Sequence, residues 1–308
     1  MRVLGIHFNG PFASLCLVQD GKVVCAIKEE SISRKPGDES FPELALQEIQ
    51  KKFNFTLDEI DHIAIAYKPI RKIEDFIIGE MLHWPLKLRG FPKRLNQCLL
   101  QQFNLNKSLK KYFGPQRDII FLDSYLCLAA SEYYSQAGTA PIAIKRHSHT
   151  YLYEFFGNEI TVSKSHEVHV SPSLGFENAS IGAALLASAR YIKIERPIHP
   201  EGLGFDSAEI ENYLKRIQCI YRPLASFNLK EKIAEGKKVA IFKGACPFHY
   251  SLSDQRAIYQ HNEIIPLKLK DEPLAFFPQD AWRAFRILNL DYLVLENWVI
   301  AQKDLRKD

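Results

Sequence analysis

The chain opens with three short apolar runs that are separated by turn-forming residues. The runs cover residues 3–8, 13–18 and 23–27, and each has the length of a β-strand. Asp20 and Gly21 lie between the second and third runs. An Asp-Gly pair between two β-rich runs is a strong hairpin signal, because glycine accepts the positive φ that the turn requires. The pattern therefore predicts three antiparallel strands at the start of the chain.

Further along the chain, strand-like and helix-like apolar patterns alternate. Strands are predicted at 60–67, 118–122, 141–144, 151–156, 160–162, 238–242 and 292–295, and helices at 41–53, 125–134, 180–192, 207–217 and 229–234. Residues 70–116 predict two or more amphipathic helices, and whether they form a separate subdomain stays open. The alternation predicts a mixed α/β protein. Prolines and glycines concentrate in 194–204, which places a domain boundary between 1–195 and 196–308.

Composition and charge exclude some classes of partner. The 308 residues are 46% hydrophobic and 25% charged, with a net charge of +4 and a pI of about 8.6. This charge falls short of the level typical of nucleic-acid binders, so the basic stretch 87–94 is interpreted as a solvated helix face. No apolar run approaches the roughly 20 residues that a membrane span needs, and Met1–Arg2 leads directly into a strand. We expect a cytoplasmic protein without nucleic-acid or membrane partners.

The six cysteines are scattered along the chain, and no two of them form a Cys-x-x-Cys pair. Four of them have apolar neighbours, which predicts buried, reduced thiols. Disulfides are not expected without an export signal.

Residues 1–42 resemble the opening of the O-carbamoyltransferase family, whose members make antibiotics and nodulation factors. The matching residues are Leu4-Gly5-Ile6, Ala13-Ser14, Leu17-Val18, Asp20-Gly21, Val23-Val24, Glu29-Glu30, Ser33-Arg34, Asp38 and Phe41-Pro42. The resemblance implies an actin-like ATPase (ribonuclease H-like) N-terminal domain, followed by a smaller, truncated carbamoyltransferase C-terminal α/β domain. In all, the resemblance covers four pieces of the chain, which are residues 1–68, 118–146, 170–192 and 236–282. The first loop departs from the family, which has His-Asp where this chain has Pro11-Phe12.

The family binds a metal ion through two histidines one helical turn apart and two aspartates. The four corresponding positions here hold Ser124, Leu128, Lys145 and Phe176. Leucine and phenylalanine cannot bind a metal, and lysine reverses the charge of the aspartate that it replaces. The resemblance therefore implies a shortened, degenerate member that has lost its metal site. No cofactor is predicted, and ATP and a metal ion are expected only if another site has been rebuilt.

The family's phosphate-binding block is altered in the same way. The corresponding residues, 244–258, keep Gly244, Phe248, Arg256 and Ile258. Pro247 stands at the position of the family's glutamate, and Ser251 at that of its paired arginine. A single arginine does not make the bidentate cradle that holds a phosphate.

Several other residues are candidates for a new site. The candidate ligand-binding residues are His7, Asn9, Ser14, Arg256 and His249, and the candidate zinc ligands are His147, His149, His166 and His169. Unremarkable histidines on a polar hairpin face are the preferred interpretation of the second set. Cys246 and His249 could form a nucleophile and base, but their spacing on a loop fixes no geometry. A structural or incidental cysteine is the preferred interpretation. We interpret Glu29, Ser33 and Arg34 as residues that lock the turn after the third strand.

Two functions follow from the resemblance. The preferred hypothesis is a degenerate carbamoyltransferase homologue that serves as a non-catalytic partner or scaffold subunit of a biosynthetic enzyme. Its protein partner would be a second copy, an active carbamoyltransferase or another biosynthetic enzyme. The alternative is a divergent transferase with a rebuilt site, which moves a carbamoyl or related acyl group in secondary-metabolite biosynthesis.

Overall fold

The computed structural model of the chain shows a mixed α/β protein, and the residues that it describes form three β-sheets. It describes residues 1–10, 12–67, 93, 95–96, 109–110, 112–114, 119–136, 140–146, 149–156, 159–165, 175–248, 255–260 and 263–305. Two compact units are present. The first contains residues 1–10, 14–24 and 50–199, and the second contains 11–13, 25–49 and 200–308. Residues 25–49 thus group with the C-terminal part of the chain, while the division into domains 1–195 and 196–308 stays a prediction.

The predicted N-terminal strands form part of a five-stranded sheet. Its strands are β1 (Arg2–His7), β2 (Ser14–Gln19), β3 (Lys22–Lys28), β4 (His62–Ile65) and β5 (Ile119–Phe121), in the order β3-β2-β1-β4-β5. β1 is antiparallel to β2 and parallel to β4. Asp20 and Gly21 have φ values of 49° and 79°, as the predicted hairpin turn requires. The antiparallel opening of the chain is therefore confirmed.

Two helices of the first unit pack at unusually close range. These are α3 (Ser124–Ser135) and α4 (Ala179–Ser188), which follow α1 (Glu29–Ser33) and α2 (Glu43–Phe53) in the chain. Asp123 caps α3 by accepting hydrogen bonds from the Tyr125 and Leu126 amides at 3.0 and 3.2 Å. A Cβ atom added to Gly182 of α4 would lie 1.7 Å from the Cys127 carbonyl oxygen of α3. The Ala-rich helix predicted at 180–192 is confirmed, although it ends earlier.

The close packing of α4 extends to the sheet. A Cβ atom on Gly5, in the central strand β1, would lie 2.0 Å from the Ser180 carbonyl oxygen. Only glycine at this position leaves room for the helix backbone. The first unit also contains a three-stranded antiparallel sheet, in which the predicted 151–156 and 160–162 strands are paired. Its strands are β6 (Ile142–Arg146), β7 (His149–Phe156) and β8 (Glu159–Ser165).

A six-stranded sheet forms the centre of the second unit. Its strands are β9 (Arg222–Pro223), β10 (Val239–Phe242), β11 (Arg256–Gln260), β12 (Glu263–Pro266), β13 (Tyr292–Leu295) and β14 (Trp298–Ala301), in the order β12-β11-β10-β13-β14-β9. The helices of this part of the chain are α5 (Ser207–Arg216), α6 (Leu229–Ala234) and α7 (Pro278–Ile287). Sequence analysis predicted α5, α6, β10 and β13 and missed the others. Phe242, Phe285 and Leu293 lie in the buried core of this unit.

The described cysteines behave as predicted. Cys16, Cys25, Cys127 and Cys246 are buried, Cys219 is half-buried, and none of these five forms a disulfide. Burial raises the pKa of the Cys127 and Cys246 thiols and raises that of Cys219 to about 11. At neutral pH these three thiols are therefore protonated. In the described part of the chain, none of the helices has both the length and the apolar character that crossing a membrane requires.

Candidate functional site

His7, one of the candidate ligand-binding residues, lies at the end of β1. Its side chain is buried, with 3% exposed, and its Nδ1 atom lies 3.5 Å from the Ala66 carbonyl oxygen. Its ring stacks on Phe176 with the ring centroids 6.0 Å apart. Asn9, two residues later, is exposed and adopts a left-handed conformation with φ of 58°. His7 is thus packed inside the first unit, whereas Asn9 faces solvent.

Ser14 is fully buried at the start of β2. Its hydroxyl lies 2.7 Å from the Glu177 carbonyl oxygen, to which it donates, and 2.9 Å from the Ser180 hydroxyl. These contacts fix the β2 strand to the turn that precedes α4. The arrangement gives Ser14 a packing role, and a role in ligand binding stays a prediction.

The structure describes the side chains at three of the four positions at which the resemblance implied metal ligands. The Ser124 hydroxyl donates a hydrogen bond to the Ala66 carbonyl oxygen at 2.7 Å. Phe176 lies between the rings of His7 and Tyr125, at centroid distances of 6.0 and 5.8 Å. Leu128 is 2% exposed in the core. Lys145 belongs to β6, and its side chain lies outside the described residues.

These side chains do not fit a metal ion. A divalent metal needs three or four nitrogen, oxygen or sulfur donors. Here one donor position holds a leucine, one holds a phenylalanine and the serine hydroxyl is already hydrogen-bonded to a carbonyl. Within the described residues, no three histidine, cysteine, aspartate or glutamate side chains are placed to share an ion.

The histidine candidates lie mainly outside the described residues. This applies to His147, His166, His169 and His249, and to the side chain of His149, whose backbone begins β7. The zinc site and the Cys246–His249 pair therefore stay predictions.

Arg256 is the first residue of β11, and its side chain is bound to the backbone of the same unit. Its side chain is 1% exposed and donates to the backbone carbonyls of Gly244 at 2.8 Å, Gln255 at 3.0 Å and Lys243. Its guanidinium carbon lies 3.6 Å from the centroid of the Phe242 ring. Burial lowers the pKa of Arg256 to about 10, so the group is still protonated at neutral pH. Both terminal nitrogens hold the loop before β11, which leaves little of the fork for a phosphate.

The turn after β3 is locked by Arg34. This residue ends α1 with φ of 60° and donates to the Leu274 and Pro273 carbonyl oxygens, each at 2.8 Å. It also lies 3.3 Å from a Glu272 carboxylate oxygen and 3.5 Å from one of Asp280. The planar fork of arginine suits several acceptors at once. The interpretation of Arg34 as a structural lock is confirmed.

Glu29 performs the same task at the other end of the turn. Its carboxylate accepts hydrogen bonds from the Leu44 and Ala45 amides at 3.1 and 2.9 Å, at the beginning of α2. These amides have no partner inside the helix, so the carboxylate satisfies them. Burial raises the pKa of Glu29 in spite of these two hydrogen bonds.

Sequence analysis missed the buried ion pair between Lys28 and Glu30. The Lys28 ammonium is 3.5 Å from the Glu30 carboxylate and lies over the rings of Phe12 and Phe248, at 5.7 and 6.0 Å from their centroids. Glu30 also accepts a hydrogen bond from the Gly37 amide at 2.8 Å. A lysine that directly continues an apolar strand and precedes two glutamates was the available signal for this pair.

Asp38 gives the turn a pH-dependent contribution to stability. Burial works against its ionisation, but hydrogen bonds from Ser40 at 2.5 Å and Ser33 at 2.7 Å outweigh burial and lower the pKa of this carboxyl. A carboxylate with a lowered folded pKa stabilises the native state above its unfolded pKa, and this stability is lost as pH falls through the folded value.

We therefore expect Asp38→Asn to lower the free energy of unfolding by about 1 kcal/mol at pH 7, through its hydrogen bonds. The difference from wild type should start to shrink below about pH 4, where the carboxyl of the unfolded chain begins to take up a proton while the folded carboxyl is still ionised. Urea denaturation of both proteins at several pH values between 3 and 7 measures this difference in the free energy of unfolding. The exposed Glu39→Gln variant is the control, and a difference that stays constant down to pH 3 would contradict the assignment.

No family model matches this chain. It is 27% identical over 187 residues to the uncharacterized protein sll1178 of a Synechocystis strain, and the match covers 56% of this chain and 30% of that protein. The chain thus spans less than a third of the length of this relative.

Solved structures give more distant likenesses. YeaZ from Pseudomonas aeruginosa is 15% identical, with a TM-score of 0.31 over 53% of this chain and 64% of that one. The activator of the 2-hydroxyisocaproyl-CoA dehydratase from Clostridium difficile, with bound ADPNP, is 9% identical, with a TM-score of 0.28 over 53% and 46%. Likenesses at this level do not assign a family.

Proposed function

We propose that this chain is a carbamoyltransferase-like protein of the actin-like fold that has lost metal-dependent catalysis and acts as a binding subunit of a biosynthetic enzyme. The observation that carries the proposal is the packing of Phe176 against His7, beside a Ser124 hydroxyl that donates to the Ala66 carbonyl. Aromatic packing and a satisfied hydroxyl stand where the resemblance implies metal ligands.

The family-like residues that persist support the same proposal, because they maintain the fold. Gly5 and Gly182 allow close backbone approach, and Glu29 and Arg34 bond to backbone groups. The residues that pack the fold are thus retained, whereas two of the implied metal-ligand positions are apolar. This combination fits a protein that binds a partner through its folded surface and does not catalyse a reaction.

A binding subunit needs its fold and a complementary partner. The partner that we propose is an active carbamoyltransferase or another enzyme of the same biosynthetic route, with a second copy of this chain as the competing possibility. Co-expression with a candidate enzyme tests this partnership. We expect the two proteins to co-elute from a size-exclusion column, and we expect the partner enzyme to keep its own active site intact in the complex. Sedimentation of this chain alone distinguishes a homodimer from a monomer.

The purified chain provides the direct test of lost catalysis. We expect elemental analysis to find less than about 0.1 metal ion per chain, and titration calorimetry to give no binding heat with ATP or carbamoyl phosphate. The physical reason is the donor set, which offers leucine and phenylalanine where a metal needs nitrogen or oxygen. One metal ion per chain or turnover of carbamoyl phosphate with ATP would overturn the proposal and favour the rebuilt transferase.

A reversion variant tests whether the positions correspond. Ser124→His and Leu128→His place two imidazoles one helical turn apart on α3, and Phe176→Asp adds a carboxylate. The triple variant should bind about one divalent ion per chain, whereas Phe176→Leu, which keeps the site apolar, should not. Failure of a folded triple variant to bind metal would contradict the assignment of these positions.

A further inference from the structure

The first unit contains a cleft that the proposed function does not use. It has a volume of about 400 Å³, within the range of small-molecule sites. Its walls carry three tyrosines and three cationic side chains: Tyr133, Tyr134, Tyr191, Arg190, Lys193 and Arg196. The cationic residues come from the segment that follows α4, and Tyr133 and Tyr134 come from the end of α3.

Part of this cleft is held in place by the fold. The Arg196 guanidinium carbon lies 3.9 Å from the centroid of the Tyr133 ring, and its Nη1 atom donates to the Tyr133 carbonyl oxygen at 3.2 Å. Tyr133 in turn stacks on Phe155 at 4.3 Å. Arg196 is therefore fixed on a rigid aromatic base, which lowers the entropy that it loses when it binds an anion.

The other two cations are available to a ligand. Arg190 and Lys193 are exposed, and among the described residues neither one forms an ion pair. Burial raises the pKa of Tyr134 to about 12, so its hydroxyl stays neutral and can donate a hydrogen bond. The cleft thus presents positive charge and hydrogen-bond donors, which is the complement of an anionic group.

A second, apolar cleft adjoins the cationic one. Its volume is about 170 Å³, and it shares Tyr134, Ala189 and Arg190 with its neighbour. The remaining walls are the side chains of Leu122, Leu126, Phe155, Ile160 and Leu186. Two shared residues come from the turn after α4, so the positively charged space opens directly beside the apolar one.

We propose that the two clefts form one binding site for an amphiphilic anion, a short alkyl chain with a carboxylate or phosphate head. The head would lie between Arg190, Lys193 and Arg196, and the chain would enter the apolar cleft beside Leu126. The charge of the first cleft selects the head group, and the apolar walls of the second select the tail. The site does not depend on the proposed function, because it uses none of the residues at the lost metal positions.

Chain length provides the first test, by titration calorimetry of the full chain with butanoate, hexanoate and octanoate below their micelle concentrations. Affinity should rise about fourfold per added methylene, since burial of a CH₂ group contributes about 0.8 kcal/mol. Octanol, which has the tail and no charge, should bind at least about tenfold more weakly than octanoate. Octyl phosphate distinguishes the two possible heads.

Substitutions assign the two halves of the site. In the Arg190→Ala/Lys193→Ala variant, affinity for octanoate should fall about tenfold. Affinity for octanol should fall by a smaller factor, because Arg190 also lines the apolar cleft. Leu126 is half-buried in the wall of the apolar cleft, and a larger side chain there should fill the cleft. The Leu126→Trp variant should therefore bind octanoate no more tightly than hexanoate. Arg286→Ala, which removes an exposed cation from α7, is the control for net charge. Denaturation curves verify that each variant is folded.

Several results would overturn this site. They are the absence of any octanoate binding, an affinity that does not depend on chain length, and a loss in Arg286→Ala equal to that in the double variant. Sedimentation with phosphatidylglycerol vesicles separates a lipid surface from a free ligand. Binding to vesicles without binding of monomeric octanoate would also refute the proposed site.

Discussion

The Gly182→Ala variant should unfold at a clearly lower urea concentration than the wild type, because its free energy of unfolding should be about 3 kcal/mol lower. The added methyl group would lie 1.7 Å from the Cys127 carbonyl oxygen and 2.5 Å from its carbonyl carbon. Both atoms belong to the backbone of α3, so no side chain can rotate away. The two helices would have to separate, and the packing of α4 against β1 would be disturbed with them.

Urea denaturation followed by circular dichroism measures this effect. Gly204→Ala is a matched control, because its new methyl group would lie 3.4 Å from the nearest backbone atom, an ordinary contact. Its stability should stay within about 1 kcal/mol of the wild type. Equal stabilities for the two variants would mean that α3 and α4 do not approach as closely as described.

Replacing Arg256 by alanine should lower the free energy of unfolding by a similar or greater amount, about 3–5 kcal/mol. The substitution leaves the Lys243, Gly244 and Gln255 carbonyl oxygens without their charged donor, and it opens a cavity beside Phe242. The loss of these charged hydrogen bonds and the loss of packing act in the same direction. The expected consequence is reduced stability rather than altered ligand binding.

Thermal and urea denaturation of Arg256→Ala and Arg256→Lys test this role. Lysine keeps the charge but lacks the fork that reaches several carbonyls, so an intermediate loss is expected. Arg286→Ala, at an exposed position, should change stability by less than about 0.5 kcal/mol. An Arg256→Ala protein with wild-type stability and weakened carbamoyl phosphate binding would instead restore Arg256 as a ligand residue.

The parts of the fold that sequence analysis predicted carry local signals. The first three strands follow from apolar runs and from Asp20-Gly21, whose turn needs no tertiary contact. β12 was missed because all four of its residues are exposed, so it lacks the alternation of a half-buried strand. The helix α7 was also missed, although Pro278 stands at its first turn, a favoured position for proline.

In the candidate site, too, sequence analysis predicted the features that depend on neighbouring residues and missed those that depend on residues distant in the chain. The resemblance identified Ser124, Leu128 and Phe176 as altered positions, but their contacts depend on residues far away in the chain. Ser124 bonds to a carbonyl 58 residues earlier. Arg256 was interpreted as a ligand candidate because its carbonyl acceptors belong to the backbone, and backbone hydrogen bonding leaves no trace in side-chain identity.

The grouping of residues 25–49 with 200–308 has a consequence for biosynthesis of the chain. Arg34 reaches its Leu274 acceptor across 240 residues. At a translation rate of 5–20 residues per second, the early segment waits roughly 10–50 s for its partner to emerge from the ribosome. During that interval Lys28, Glu30 and the end of β3 have no completed core around them. Such long-range closure slows folding, and it means that a fragment ending near residue 199 would carry an unfinished piece of the second unit.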